Sequence, residues 1–236
     1  MKIGDARRLA EGQPGWLGEI SESFRSEILS ACSLHHYRTG EQLHAIGDES
    51  YSMYGIVRGQ VKMYLPCSDG ETYLGHLLSA GYWAGEGPSL LAAARPVALV
   101  AARPTYVLRL GRPAMAAIAA RTPEFGQMML KLLMGHLTLA LGAVADSMIR
   151  DARKRTIATL LRLGSLSDHG QPLSTVAQKM PVDLFIRQQE LAGLVNLGRT
   201  ALNKVLSDLR EKGVLETDYA RITILDPTGL QELLSA

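Results

Sequence analysis

The sequence predicts an α+β fold in three parts: a β-barrel or sandwich, a long apolar helix, and a C-terminal winged helix-turn-helix. Three observations carry this. Between Tyr37 and Leu110, short alternating or β-branched runs are broken by closely spaced turn signals. Leu130, Leu133, Leu137, Ala140 and Val144 then recur at helical steps of three and four. Last, two amphipathic stripes flank the corner Asn196-Leu197-Gly198. These place a barrel domain at 1–118, a long helix and hinge at 119–150, and a winged domain at 151–236.

Residues 15–33 read as short helices. The barrel strands are carried by SMYGIVRG, QVKMYLP, TYLGHLL and TYVLRL, separated by turns at Thr39-Gly40, Gly47-Asp48, Arg58-Gly59, Asp69-Gly70 and Ala80-Gly81. Short strands at this spacing build an all-β barrel or sandwich. SDGET marks a tight hairpin, because Asp-Gly supplies the positive φ such a connection needs. After Gly111 the β texture ends.

Pro123-Glu124 opens a helix with proline and an acid in its first turn, running to about Met148. Leu130, Leu133, Leu137, Ala140 and Val144 form a heptad seam along it. Met129, Leu132, Leu139 and Ala143 add apolar area on other faces, so the helix needs cover on more than one side. One face on the barrel and the seam against a second copy satisfies that, which predicts a homodimer.

Asp151 stands at the N-cap of a further helix, ARKRTIATLLRLGS. Leu163 through Pro181 reads as loop and strand. In RQQELAGLVNLGRTALNKVLSDLREK, the stripe Leu191, Ala192, Leu194, Val195 precedes a second one, Leu202, Val205, Leu206, Leu209, spaced i, i+3, i+4, i+7. Opposite the second stripe stand Arg199, Thr200, Asn203, Lys204 and Ser207, donors and small hydroxyls suited to base edges and phosphates of double-stranded DNA. VLETDYARITILD then forms a β-hairpin wing, and PTGLQELLSA a last short helix.

Composition narrows the class. With 25 Lys and Arg against 23 Asp and Glu, the net charge is +2, too mild for a nucleic-acid packager but compatible with one local basic patch. Cys32 and Cys67 are too few for a disulfide framework or a cysteine-held iron–sulfur or zinc site, and read as reduced, partly buried thiols. The segment MKIGDARRLAEGQPG has no apolar leader. The apolar, charge-free stretch Leu132–Ala145 spans 14 residues, short for a bilayer. The expectation is a cytoplasmic protein without a membrane partner. An enzyme is not expected: there is no HExxH, GxSxG or P-loop, and no acid–base spacing.

The order of barrel, long helix and winged helix-turn-helix resembles the Crp/Fnr family of bacterial transcription regulators. The resemblance covers nearly the whole chain. It rests on GIVRGQVKMY, on Ala84-Gly85-Glu86 followed by Arg95, and above all on QELAGLVNLGRTALNKVLSDLREKGVL. It implies a double-stranded β-helix (jelly-roll) barrel and a homodimer on a two-fold symmetric DNA site, each recognition helix in a major groove. Arg199 would contact guanine O6 and N7, and Lys204 a base or phosphate. Thr200 stands where many members carry glutamate, so the preferred half-site should differ. Gln188 and Gln189 would donate to phosphate beside the helix's positive end. Arg187 replaces the usual Ser or Thr cap there, giving a weaker cap and a more cationic entry. An activator would also touch RNA polymerase.

The resemblance further implies a cyclic-nucleotide pocket in which Gly85, Glu86 and Arg95 hold ribose and cyclic phosphate. This chain departs from it. Pro96 after Arg95 has neither N–H nor hydroxyl, Val97 adds none, and Ala140 and Leu141 stand where adenine-contacting hydroxyls occur. Losing several hydrogen bonds at roughly 1–3 kcal/mol each removes most of a micromolar affinity. The expectation is an apolar or otherwise different small effector, or none, in place of ordinary cyclic AMP; in a vestigial pocket Arg95 would simply pair with Glu86. The alternatives are a cyclic-AMP- or cyclic-GMP-responsive activator with an atypical pocket, and a signalling module whose winged helix docks protein. Haem would need His76 or His136 as axial ligand, but a lone histidine in an apolar run reads first as a hydrogen-bonded core residue.

Overall fold

A computed structural model describes residues 1–166 and 181–236. The expected loop and strand between Leu163 and Pro181 fall largely on residues 167–180, outside the described residues. Three helices open the chain: α1 (Ile3–Glu11), α2 (Trp16–Glu19) and α3 (Glu22–Ala31). The barrel follows with β1 (Ser33–Tyr37), β2 (Gln42–His44), β3 (Ser52–Arg58), β4 (Gln60–Pro66), β5 (Thr72–Ser79), β6 (Trp83–Ala84), helix α4 (Glu86–Leu91), β7 (Ala98–Ala101) and β8 (Thr105–Gly111). Two antiparallel four-stranded sheets, β1-β8-β3-β6 and β2-β7-β4-β5, face each other across Tyr54, Ile56, Val61, Leu78, Leu99 and Val107. This is the expected jelly-roll barrel.

The Asp69-Gly70 turn joins β4 to β5, with Gly70 at φ 86°. Gly59 joins β3 to β4 at φ 109°, where a Cβ would lie 2.7 Å from Thr105 Cα. Only glycine combines that backbone with that approach.

Beyond the barrel come α5 (Arg112–Ala119), α6 (Phe125–Ser147) and α7 (Ala152–Leu163). Helices α1 and α5 extend the expected pattern. In α5, Pro113 in the first turn and the alanine-rich run supply a helix signal that the end of the β texture had masked. Helix α6 divides its apolar residues as the spacing requires. Met129, Leu132 and Leu139 are buried, the first two in a cluster with Trp16, Phe24 and Phe125, and the Trp16 indole donates to Met128 O at 2.8 Å. Leu130, Leu133, Leu137, Ala140 and Val144 are exposed, Leu130 by 57%.

At 23 residues α6 is by length and composition long enough to cross a membrane, so the 14-residue stretch understated it. In the fold it lies along the barrel, with Lys131 paired to Glu19 at 2.8 Å. The thiols differ from expectation too. Cys32 is buried, its thiol pushed up to about 12 chiefly by that burial, whereas Cys67 is exposed.

The Asp151 carboxylate caps α7 by accepting from Lys154 N at 2.8 Å. After it come β9 (Val182–Leu184), α8 (Gln188–Leu194), α9 (Arg199–Glu211), β10 (Leu215–Asp218), β11 (Arg221–Ile224) and α10 (Pro227–Ser235). The wing is a three-stranded sheet, β10-β11-β9, because β9 adds to the expected hairpin. Its core joins Ile157, Leu160, Leu184, Leu191, Leu206 and Ile222, and also takes in Leu74 and Leu77 of β5. The winged domain is therefore packed on the outer face of the barrel.

Candidate functional site

The outer face of the helix-turn-helix is built by its inner one. Leu202, Leu206 and Leu209 are buried, with Val205 at the edge, and they orient α9 so that Arg199, Thr200, Asn203 and Lys204 are exposed. Ser207 is partly covered, 3.4 Å from an Arg210 Nη. Asn196 takes the left-handed conformation at φ 48°, and Leu197 N–H donates to Ala192 O at 3.0 Å, closing the corner. Arg199 opens α9, so its guanidinium stands beside the positive end of the helix dipole. Arg187 and Gln189 are exposed at the start of α8, with Gln188 half-buried. The Arg187 side chain makes no cap bond, but its backbone N–H donates to Glu190 Oε2 at 2.8 Å. Entry to α8 is thus half-capped by glutamate.

Glu190 does more than cap. Its carboxylate also accepts from Lys62 Nζ at 2.6 and 2.7 Å and from the Tyr64 hydroxyl at 2.7 Å, both on β4. Burial pushes its pKa up, but these bonds and the Arg187 N–H outweigh that and hold it low. Nearby, Gln60 Nε2 donates to Asp183 O at 2.7 Å, its amide oxygen accepts from Phe185 N at 2.9 Å, and Arg103 lies 4.3 Å over the Phe185 ring. The reader is held to the barrel by polar bonds from β4 as well as by Leu74 and Leu77.

A second junction sits at the hinge. The Arg155 guanidinium donates to Ile149 O and Val195 O, tying the end of α6 to the end of α8. Arg162 Nε donates to Asp146 Oδ2 at 2.8 Å, and both side chains are at least nine-tenths buried. None of these tethers was legible beforehand. Each joins residues distant in sequence, and Glu190 was visible only as part of a helix-entry motif.

The expected phosphate cassette is present but differently wired. Gly85 lies at φ 96°, where a Cβ would meet Arg95 Nη1 and Ser52 O at 2.8 Å. Arg95 is 2% exposed and does not pair with Glu86, correcting that expectation. Its guanidinium donates to Ser52 O at 2.6 Å and Gly85 O at 3.3 Å, and lies 5.6 Å from the Tyr54 ring. Glu86 accepts instead from His136 Nδ1 at 2.8 Å, and His136 stacks on Tyr82 at 5.1 Å. The Pro96 ring leaves no N–H beside Arg95.

His76 and His136 border one cavity between the barrel, α6 and α8, together with His44. Among the described residues no cluster of three metal-ligating side chains exists. Burial, with Arg162 and His136 nearby, lowers His76 to about 3, and burial with Arg95 lowers His44 to about 4. Both imidazoles are neutral in the folded chain at neutral pH but titrate near 6.5 once unfolded. The unfolded state therefore takes up protons first as pH falls, so stability present above about pH 6.5 erodes toward pH 4. The melting temperature is expected to fall between pH 7 and 4.5, and His76→Leu to flatten that slope. Parallel slopes in the two proteins would remove His76 from the account.

A jelly-roll barrel joined by a long helix to a winged helix-turn-helix with a cationic outer face defines a DNA-binding transcription regulator. Comparison with known proteins agrees. Residues 154–233 match the Crp-like helix-turn-helix domain and residues 34–122 the cyclic nucleotide-binding domain. The chain belongs to the Crp/Fnr family. It is 25% identical over 205 residues to the global nitrogen regulator of Synechococcus elongatus, covering 86% of this chain and 90% of that protein. To the CRP-like cAMP-activated global transcriptional regulator of Mycobacterium tuberculosis it is 23% identical, covering 81% and 83%. A CRP-family transcriptional regulator from Thermus thermophilus shares the fold with a TM-score of 0.64 at 22% identity, covering 86% and 97%.

Proposed function

We propose that this regulator acts in the cytoplasm as a homodimer on a two-fold symmetric DNA site, under control of a small effector other than ordinary cyclic AMP. The observation that carries the DNA reading is the division of α9: three leucines buried, and Arg199, Thr200, Asn203 and Lys204 free on the opposite face. Arg199 reads guanine, Lys204 reaches a base or phosphate, and Thr200 contributes a neutral hydroxyl to a half-site distinct from that of glutamate-bearing members. Asn203 and Ser207 line the same face, while Arg187, Gln188 and Gln189 reach the backbone. One short helix reads only a few base pairs, so two copies are needed for affinity and discrimination. Leu130, Leu133, Leu137, Ala140 and Val144 supply the surface that joins them.

The effector reading is supported by the cassette. Arg95 already donates to Ser52 O and Gly85 O, Pro96 offers no donor, and Ala140 and Leu141 have no hydroxyl for a base. Selection of bound sequences from random DNA, with and without cell extract, tests the reading as a whole. A palindromic site is expected, along with a requirement for the extract. Thereafter Arg199→Ala should cost about 1–3 kcal/mol of discrimination at one base pair per half-site. Equal loss on specific and random DNA in a mobility-shift series would rule out base reading by Arg199. Salt-insensitive binding would favour a protein-docking winged helix.

A further inference from the structure

The winged domain is attached to the rest of the chain at two places. The covalent one is the short connection between α6 and α7, residues 148–151, with Arg155 and the Asp146–Arg162 pair beside it. A domain joined at a hinge alone swings by default unless a larger interface holds it. The second attachment comes from the barrel. Gln60, Lys62 and Tyr64 alternate along β4 and so share one face of the sheet. Each of the three bonds to the winged domain. The Gln60 amide donates to Asp183 O and accepts from Phe185 N, while Lys62 Nζ and the Tyr64 hydroxyl donate to Glu190. Leu74 and Leu77 of β5 enter the winged domain's core alongside them.

Lys62 commits the two domains to each other. Its side chain is 11% exposed, and Glu190 is its ion-pair partner among the described residues. A lysine is seldom sealed this far from water unless a carboxylate meets it. The docked arrangement also leaves the DNA face open. Arg199, Thr200, Asn203 and Lys204 on α9 are exposed, as are Arg187 and Gln189 at the start of α8. Glu190 stands in the first turn of α8, beside the groups assigned to phosphate. Swung free of the barrel, its carboxylate would lack Lys62 and repel the DNA backbone. Docked, its charge is answered from β4.

We infer that the row Gln60, Lys62 and Tyr64 sets the half-site spacing this protein accepts, by holding the recognition helices of a dimer at one separation and twist. The inference rests on the reading of the protein as a homodimer on a two-fold site. Helix α6 carries both the seam and the contact with its own barrel, so a reader clamped to the barrel is clamped relative to its mate. Spacing is a strict requirement on duplex DNA. Each added base pair moves a half-site by about 3.4 Å and turns it by about 34°. Gln60, Lys62 and Tyr64 are positioning residues, acting on the DNA contacts through α8 and β9.

The test is a mobility-shift series with the full chain. The duplexes carry two copies of the selected half-site at the optimal spacing and one base pair to either side, or a single half-site. The parent protein is expected to lose about tenfold or more in affinity one base pair off the optimum. Lys62→Met/Tyr64→Phe should shrink that penalty to roughly threefold or less, with affinity for the single half-site kept within about twofold. Lys62→Arg, which keeps the charge and the donors, should retain the parent's penalty. A general loss of stability would not produce that rescue.

An unchanged penalty in the double variant overturns the inference and leaves the dimeric reading intact. Tighter binding at all three spacings also overturns it, since the β4 row would then hold the reader away from DNA. So does a Lys62→Arg protein as tolerant of spacing as the double variant. Loss of single half-site affinity assigns Lys62 and Tyr64 to folding of the winged domain instead. A parent protein that binds one half-site as tightly as two removes the dimeric reading and the inference together.

Discussion

Asp146→Ala is expected to destabilise the protein by about 3–5 kcal/mol, the cost of leaving a buried guanidinium without its carboxylate. Arg162 is 3% exposed at the side chain and Asp146 8%, with 2.8 Å between Nε and Oδ2. Removing one partner strands the other, whereas removing both leaves only a packing change. The double variant Asp146→Leu/Arg162→Met should therefore recover most of the loss, which a urea titration followed by circular dichroism measures. A single-variant cost below about 1 kcal/mol would mean that water reaches Arg162 and the pair behaves as an exposed one. Because Asp146 closes α6 and Arg162 lies in the last turn of α7, the same variant should loosen the hinge. Proteolysis near Met148–Arg150 in the folded protein is expected to speed up accordingly.

Leu137→Arg should separate the proposed dimer and reduce affinity for a two-fold site by roughly two orders of magnitude or more, since linked reading by two helices is worth about that much. Leu137 is 48% exposed in a single chain, so arginine there costs the barrel little while placing two like charges across a symmetric seam. Sedimentation velocity gives the state of association, and a mobility shift on full and half sites gives the loss. A variant that remains dimeric, or a monomer that binds the full site as tightly as the parent, would overturn the seam. Unchanged thermal stability of the barrel is part of the expected result.

Much of this architecture was legible because local periodicity reports which side of an element meets the core. The split of α6 into a buried Met129-Leu132-Leu139 face and an exposed Leu130-Leu133-Leu137 face follows from 3.6 residues per turn. So does the orientation of α9, where Leu202, Leu206 and Leu209 turn Arg199 and Lys204 outward. The Asp69-Gly70 turn, the Asp151 cap and the left-handed Asn196 were readable because each answers a backbone requirement within a few residues. Helix α5 is signalled only by its first-turn proline and its alanines, which lie directly after a strand.

Other features had no local signature. Arg95 and Glu86 stand at the spacing of a phosphate cassette, and in a vestigial pocket without its other donors they were expected to pair. The fold instead brings Ser52 O and Gly85 O to the guanidinium and sends Glu86 to His136, fifty residues away. Likewise, nothing around Lys62 announced Glu190, 128 residues on.

The recognition helix, its corner, the long helix and the barrel strands were thus written along the chain, because hydrophobic period and turn chemistry act between near neighbours. The docking of reader on barrel, the buried Asp146–Arg162 pair and the neutral histidines around an apolar cavity arose only on packing. Their partners are set by three-dimensional proximity and by the loss of water around buried charge, neither of which spacing encodes.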